Sequence, residues 1–209
     1  MRKTMFSITG FLFLITLISA GWYISRFKPA EAIAPGYTDS SFIKKLNLHS
    51  EKILNYASQH KYNTGIAFLI DMSIESGRNR FFVVDLKKDS IIAEGLVTHG
   101  RCNQTWLTGR KYGNTVGCGC TSLGRYKIGN SYQGRFGLAY KLHGLDSTNS
   151  NAYKRFVVLH SHECVPDNET YPLPLCQSDG CPTVAPDFLK KLNVVLDSVR
   201  SPVLLSIYE

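Results

Sequence analysis

The N-terminal segment places the strongest constraint on what this chain can fold into. Residues 5–24, MFSITGFLFLITLISAGWYI, carry no charge, and basic residues stand on both sides of them. About 20 apolar residues suffice for a helix to cross a bilayer, and a cationic start before an apolar run is typical of export signals. We interpret residues 1–26 as a signal peptide or membrane anchor. We favour a retained anchor, because Ile18 stands where a cleavage site prefers a small residue. In either case we expect the remainder to be exported.

The rest of the chain is predicted to form one mainly β domain with helices at its flanks. Residues 27–40 are rich in Pro, Ala and Gly and indicate a linker. Residues 41–62 have apolar side chains at helical spacing and predict an amphipathic helix, with a break near Asn47. Residues 63–209 form the expected domain, which ends in a helix over 185–199 and a strand over 202–208. The other segments typical of strands are 64–74, 80–100 with a hairpin turn at 87–90, 124–129, 138–145 and 155–162.

The charge of the chain argues against a nucleic-acid partner. The formal net charge is +8 and the sequence pI is about 9.2. The basic residues are spread in pairs such as those at 44–45, 87–88 and 190–191, and no dense basic run is interleaved with aromatic residues. Two interpretations stay open: a solvated basic surface, or attraction to an anionic polymer of the cell envelope.

The six cysteines predict disulfide bonds, because exported thiols tend to oxidise. Cys164 and Cys176 bracket the Pro-rich segment VPDNETYPLPL, and we predict a bridge between them. Cys102 has two candidate partners, Cys118 and Cys120. If Cys181 is a free nucleophile, five cysteines remain, and five cannot all pair.

Cys181 and His160 have the features of a cysteine acyl transferase. Such a site needs a thiol, a base to deprotonate it and donors for the oxyanion. Gly180 gives the backbone the freedom to present Cys181 on a sharp turn. His160 ends the apolar run RFVVLH, so a stiff strand is expected to hold its imidazole in place. Seventeen residues separate His160 from the Ser-x-Gly-Cys motif at 178–181.

These motifs resemble those of the YkuD-type L,D-transpeptidases. That family has a His, a spacer of this length and then Ser/Thr-His-Gly-Cys, and the branch with Ser-x-Gly-Cys-Pro is the most similar. The likeness extends upstream to THGRCN (98–103), CTSLGRYKIG (120–129) and FGLAYKLHGLDSTNSNAYKRFVVLH (136–160). It covers roughly residues 64–190. The resemblance implies a β-sandwich-like L,D-transpeptidase catalytic fold with flanking α-helices and no metal or other cofactor.

The resemblance also implies roles for individual residues. Cys181 matches the nucleophile and His160 the general base. Ser178 and Gly180 match the turn that presents the thiol and supports the oxyanion. Ser161 directly follows the base, at a position where family members have Gly or Ser. Two positions depart from the family pattern: the second motif His is Asp179, and Thr183 replaces the usual Arg or Asn. A carboxylate at position 179 would disfavour the thiolate.

The implied reaction is acyl transfer on peptidoglycan. Cys181 would attack the bond between the diamino acid and the terminal D-Ala of a tetrapeptide stem, and the side-chain amine of a second stem would then form a 3→3 crosslink. The expected location is the bacterial periplasm or cell envelope, with an anchor in the inner membrane. Water in place of the amine would make the protein an L,D-carboxypeptidase or hydrolase. An inactive peptidoglycan-binding domain is the third interpretation.

Other interpretations of the same residues carry less weight. His160, His162 and Cys164 share one face of a strand and, with the CGC at 118–120, could bind zinc, but no CxxC or HExxH motif accompanies them. His162 is expected at a strand end, tuning the pKa of the site or contacting substrate. Arg110 is a candidate contact for a stem carboxylate, although surface solvation is the favoured explanation. A sortase shares the order His then Cys but needs a Thr-x-Thr-Cys motif that is missing.

Overall fold

Strands dominate the part of the chain that the structure describes. The computed structural model describes residues 40–209, so the predicted anchor and nearly all of the predicted linker lie outside the described residues. The domain boundaries therefore stay predictions. Within 40–209 there are two α-helices, one short 3₁₀ helix and eight strands. In chain order they are α1 (Ser40–Gln59), β1 (Ile66–Asp71), β2 (Phe81–Asp85), β3 (Ser90–Gly95), β4 (Gly124–Gly134), β5 (Gly137–Gly144), the 3₁₀ helix (Ser147–Asn149), β6 (Val158–Ser161), β7 (Thr183–Val184), α2 (Pro186–Asp197) and β8 (Leu204–Tyr208).

All eight strands belong to one mixed sheet. Its order is β3-β2-β1-β8-β4-β5-β6-β7, in which β1 pairs with β8 and β6 pairs with β7 in parallel, while the other neighbours are antiparallel. The mainly β class predicted from the sequence is confirmed. The expected sandwich is replaced by a single continuous sheet, because β8 joins the two antiparallel halves through hydrogen bonds to both β1 and β4.

The centre of the sheet is buried on both faces. Successive side chains of a strand point to opposite faces. Phe68 and Ile70 therefore pack into one hydrophobic layer, while Ala67 and Leu69 pack into the other. This arrangement explains why β1 is an uninterrupted apolar run rather than an alternating one.

The two helices cover opposite faces of the sheet. Helix α1 contributes Leu46, Ile53 and Ala57 to one layer and continues through Asn47 without the predicted break. Helix α2 contributes buried residues to the other layer and begins at Pro186, whose fixed φ suits the first helical position. Within residues 40–209, neither helix is both long and apolar enough to cross a bilayer.

The strand β7 was missed by the sequence analysis, and it is the element that matters most for the candidate site. It has only two residues, and it pairs in parallel with β6 so that Thr183 stands opposite His160. A strand this short has no period for a pattern to detect. Its position is fixed by pairing with a distant segment, which also brings the preceding turn alongside β6.

Candidate active site

The Ser178–Cys181 turn presents the free thiol of Cys181. The Ser178 hydroxyl donates to the Cys181 carbonyl oxygen at 2.7 Å and accepts from the Gly180 N–H at 3.2 Å, which closes the turn internally. The turn is also tied to the segment before it, because the Ser178 N–H donates to the His99 carbonyl and its own carbonyl accepts from Arg101. The predicted structural role of Ser178 thus has a physical basis.

Gly180 is required by both the conformation and the space of the turn. Its φ is +105°, a region that residues with a Cβ rarely adopt. A Cβ at this position would lie 2.5 Å from the Cys120 carbonyl oxygen. The glycine-rich loop containing CGC therefore packs directly against the nucleophile turn.

His160 is buried on β6 with both ring nitrogens engaged. Nδ1 lies 3.0 Å from the Ser161 carbonyl oxygen, and Nε2 lies 3.1 Å from the Thr183 hydroxyl. A carbonyl can only accept, so Nδ1 carries the proton and Nε2 accepts from Thr183. Ser161 thus orients the base through its backbone.

The ring of Phe136 stacks on His160, with centroids 4.5 Å apart and planes 16° apart. Phe136 lies in the turn between β4 and β5, and the sequence analysis missed it. An exposed aromatic residue in a hairpin turn, 24 residues before the histidine, gives no local signal of such a contact.

Cys181 and His160 line one cavity of about 300 Å³. Its walls also carry Thr98, Arg101, Phe136, His162, Cys164, Cys176, Gln177, Ser178, Asp179 and Thr183. Across residues 40–209, no hydrogen bond joins the Cys181 thiol to the His160 ring. The thiol instead lies 3.8 Å from the Phe156 carbonyl, and its sulfur accepts from the Val158 N–H at 3.4 Å. The cavity therefore contains a candidate nucleophile and a candidate base, each with its own hydrogen-bond partners.

Burial keeps both groups uncharged. Burial raises the pKa of the Cys181 thiol, although the Val158 N–H and the Arg155 charge act in the opposite direction. The pKa of His160 is lowered, chiefly by burial and to a smaller degree by His162, against the opposing hydrogen bond to Ser161. At neutral pH the site thus contains a thiol and a neutral imidazole.

Arg155 links the glycine-rich loop to the nucleophile. Its guanidinium donates to the Cys120 carbonyl, to the Gly113 carbonyl at 2.9 Å and to the Ser122 hydroxyl at 2.7 Å. A Cβ on Gly180 would lie 3.0 Å from the same guanidinium. The sequence analysis missed Arg155, because one arginine in a polar loop cannot be told from a surface cation.

The structure contains two disulfides. Cys164 pairs with Cys176, as predicted, and Cys102 pairs with Cys120. Cys118 and Cys181 are free, so Cys118 is the leftover cysteine. The bridges also remove thiolates that the zinc interpretation needs. Among residues 40–209, no group of three His, Cys, Asp or Glu side chains is placed to hold a metal ion.

Two further predicted residues have clear surroundings. Asp179 accepts from Arg101 Nε at 2.8 Å on the exposed rim of the cavity. Its charge raises the pKa of the Cys181 thiol, but less than burial does. His162 also lines this cavity, where its Nδ1 accepts from the Cys164 N–H at 3.1 Å.

Arg110 does not line the cysteine cavity. It lines a separate and larger one, donates to the Ser73 carbonyl at 2.8 Å and lies 3.7 Å from Glu209. The sequence could not show which of the two cavities Arg110 lines, because this residue lies in a long segment without helix or strand between β3 and β4.

A comparison with protein families assigns the chain. The profile of the L,D-transpeptidase catalytic domain matches residues 39–208, which is most of the chain. The chain belongs to the L,D-transpeptidase catalytic domain family. The resemblance inferred from the sequence is confirmed. No curated protein has significant sequence similarity to this L,D-transpeptidase family member.

The similar solved structures are distant in sequence. An L,D-transpeptidase from Xylanimonas cellulosilytica is 13% identical, with a TM-score of 0.40 over 74% of this chain and 68% of that one. One from Stackebrandtia nassauensis is 15% identical, with a TM-score of 0.41 over 79% and 67%. L,D-transpeptidase 1 from Mycobacterium tuberculosis is 10% identical, with a TM-score of 0.36 over 69% and 62%. The chain spans 47% to 68% of the lengths of the similar structures, and the family assignment rests on the family profile.

Proposed function

We propose that this protein is an L,D-transpeptidase in which Cys181 transfers an acyl group between peptidoglycan stem peptides. The observation that carries the proposal is the shared cavity: a free thiol on a glycine turn and a buried histidine face the same space of about 300 Å³. Family membership supports peptidoglycan as the substrate. The donor is a tetrapeptide stem, and the acceptor is the side-chain amine of a diamino acid in a second stem.

The proposed first step is attack by Cys181 Sγ on the carbonyl carbon between the diamino acid and the terminal D-Ala. The thiol proton passes to His160 Nε2 as the C–S bond forms. His160 then returns that proton to the departing D-Ala nitrogen as the C–N bond breaks, which leaves a thioester on Cys181. The acceptor amine attacks the thioester and loses one proton to His160, which passes that proton to the departing Cys181 sulfur as the C–S bond breaks and the new amide forms. The steps need no metal or cofactor.

The charge states favour general-base catalysis over a preformed thiolate–imidazolium pair. Raising the thiol pKa and lowering the imidazole pKa both stabilise the neutral pair. The Thr183 hydroxyl, which donates to His160 Nε2 in the resting site, has the Cys181 carbonyl as a second acceptor at 3.4 Å. Rotation of this hydroxyl toward that carbonyl would free Nε2 for the thiol proton.

The backbone N–H groups of Asp179 and Cys181 are the proposed oxyanion donors, because those of Ser178 and Gly180 already donate to the His99 carbonyl and the Ser178 hydroxyl. The closed turn and its attachment to His99 and Arg101 hold these groups in place before substrate arrives. We propose that Arg101 and Asp179, which pair on the rim of the cavity, contact polar groups of the stem; their position in the cavity lining supports this role.

The proposed location is the cell envelope, where peptidoglycan is found. Two disulfides in the described domain fit an oxidising compartment. The proposed inner-membrane anchor consists of residues 1–26, which lie outside the described residues.

Product analysis tests the proposal. Full-length protein is incubated with purified disaccharide tetrapeptides, alongside a Cys181→Ser variant and a Cys118→Ser control that retains both disulfides. We expect crosslinked dimers and released D-Ala from the wild type and from Cys118→Ser, and neither product from Cys181→Ser. Release of D-Ala without dimers would indicate a carboxypeptidase. Unchanged substrate with all three proteins would contradict the proposed activity and favour an inactive peptidoglycan-binding domain.

A further inference from the structure

A second cavity adjoins the cysteine cavity and is more than twice as large. Its volume is about 710 Å³, and we call it the side groove. Its lining includes Glu75, Trp106, Arg110, Tyr171, Leu173 and Gln177. This volume is in the range of about 300–1,000 Å³ that is usual for ligand sites. Neither Cys181 nor His160 lines this groove, so the proposed acyl transfer does not explain why it is there.

Open aromatic faces border the side groove. The exposed fractions of Trp106 and Tyr171 are 48% and 47%, and that of Leu173 is 69%. Within residues 40–209 no aromatic ring or cation stacks on Trp106. The Arg78 guanidinium covers one face of Tyr171 at 3.9 Å from the ring centroid. A large indole exposed beside a polar groove is costly to leave in water and is typical of a binding surface.

The polar lining of the groove is balanced in charge. It contains two carboxylates, Glu75 and Glu209, and two guanidinium groups, Arg80 and Arg110. The remaining titratable base, His99, is neutral at physiological pH, because burial, Arg80 and Arg110 lower its pKa to about 4. Such a lining suits a neutral ligand with many hydroxyl and amide groups better than a strongly charged polymer.

We propose that the side groove binds the sugar rings of the glycan strand that carries the stem peptide. This inference rests on the proposed function and adds a second recognition element to it. The C–H faces of amino-sugar rings are apolar and stack on aromatic rings such as Trp106. Their hydroxyl and acetamido groups can bond to carboxylate and guanidinium side chains such as those of Glu75 and Arg110, which supply acceptors and donors.

Gln177 connects the side groove to the cysteine cavity. Its side chain lines both spaces. The amide is held by two hydrogen bonds of 2.8 Å to the backbone of Leu107, which lines the groove. Ser178, the first residue of the nucleophile turn, follows directly in the chain. A glycan in the groove would therefore deliver its stem across Gln177 to Cys181.

Binding of a sugar chain without a stem tests the inference independently of catalysis. Full-length protein is titrated with tetra-N-acetylchitotetraose by calorimetry, together with Trp106→Ala, Trp106→Phe and the control Ile92→Ala. Ile92 is 47% exposed, close to the 48% of Trp106, but it lies on β3. We expect saturable binding that weakens at least tenfold in Trp106→Ala, is largely retained in Trp106→Phe and is unchanged in Ile92→Ala.

Kinetics supply the second readout. The kcat/KM of Trp106→Ala should fall at least tenfold on a disaccharide tetrapeptide and stay within twofold of wild type on the free tetrapeptide. Absence of chitotetraose binding, or an equal loss on both substrates, would overturn the inference. If the sugar binds but neither substrate reacts with any variant, the proposed transpeptidase function fails while the groove assignment stands.

Discussion

Removing the disulfide between Cys164 and Cys176 should destabilise the domain by about 3 kcal/mol. The two cysteines are 12 residues apart in the sequence. For a loop of this size, the loop-entropy relation gives a loss of about 10 cal/mol/K in the unfolded chain, which is about 3 kcal/mol at room temperature. That is a large share of the roughly 5–15 kcal/mol by which folded domains are stable.

The same bridge should affect the candidate site. Cys164 follows His160 by four residues and Cys176 precedes Cys181 by five, so the bridge ties the segments of the base and the nucleophile together. A Cys164→Ala/Cys176→Ala double variant avoids a new unpaired thiol. We expect its activity to fall further than its stability alone explains, because loss of the bridge loosens the geometry between the two groups.

Urea unfolding of the full-length chain measures the free energy, with Cys118→Ser as the control because it removes a cysteine outside both bridges. We expect the control to remain within about 0.5 kcal/mol of wild type. A loss below about 1 kcal/mol in the double variant would refute the reasoning from chain entropy.

Three further predictions concern the turn and the base. Gly180→Ala should cost about 2 kcal/mol or more and slow alkylation of Cys181, because φ is +105° and the new Cβ would meet the Cys120 carbonyl; urea unfolding and thiol mapping measure both effects. Thr183→Val should raise kcat by up to about fivefold, because the roughly 1 kcal/mol hydrogen bond that occupies His160 Nε2 in the resting site must break before Nε2 takes the thiol proton, whereas Thr183→Ser should keep the wild-type kcat; a fall in kcat for Thr183→Val would contradict this. The value of kcat/KM should rise with pH with a midpoint below about 6.5, because the lowered pKa of His160 keeps this base neutral as the pH falls. Alkylation of Cys181 should increase only above about pH 8.5, because the pKa of its thiol is raised. A single limb near pH 8.5 in both measurements would indicate that a thiolate is required instead.

The class of the fold and the main candidate residues could be predicted from local patterns. The apolar runs of β1 and β2, the turn after Asp85 and the helix starting at Pro186 each lie within one stretch of sequence. The motif at 178–181 and the spacing from His160 are also local features. Hydrophobic periodicity and turn-forming residues are patterns of a few neighbouring residues, so a single sequence is sufficient to detect the elements they encode.

The contacts around the candidate base depend on long-range pairing. Thr183 reaches His160 because β7 pairs with β6, and Phe136 reaches the same ring from another strand pair. Arg155 contacts a loop that is 35 residues earlier at Cys120. No propensity or motif encodes these approaches, since each is decided by how the whole sheet assembles.

The choice of partner for Cys102 was likewise undetermined by sequence. Cys118 and Cys120 differ by only two residues, so the entropy of loop closure is nearly equal for both. The structure pairs Cys120 with Cys102 and buries it, while Cys118 remains free.

The measurement that tests the central claim most directly is the mapping of the acyl-enzyme. Full-length protein is mixed briefly with disaccharide tetrapeptide, quenched in acid, digested and examined by mass spectrometry. Cys118, the other free cysteine of the described domain, serves as an internal control. We expect Cys181 to carry the stem, without its D-Ala, as a thioester, and Cys118 to carry no adduct. An adduct on Cys118 would contradict the assignment of Cys181 as the nucleophile. So would turnover that gives no adduct and that is as fast in Cys181→Ser as in the wild type.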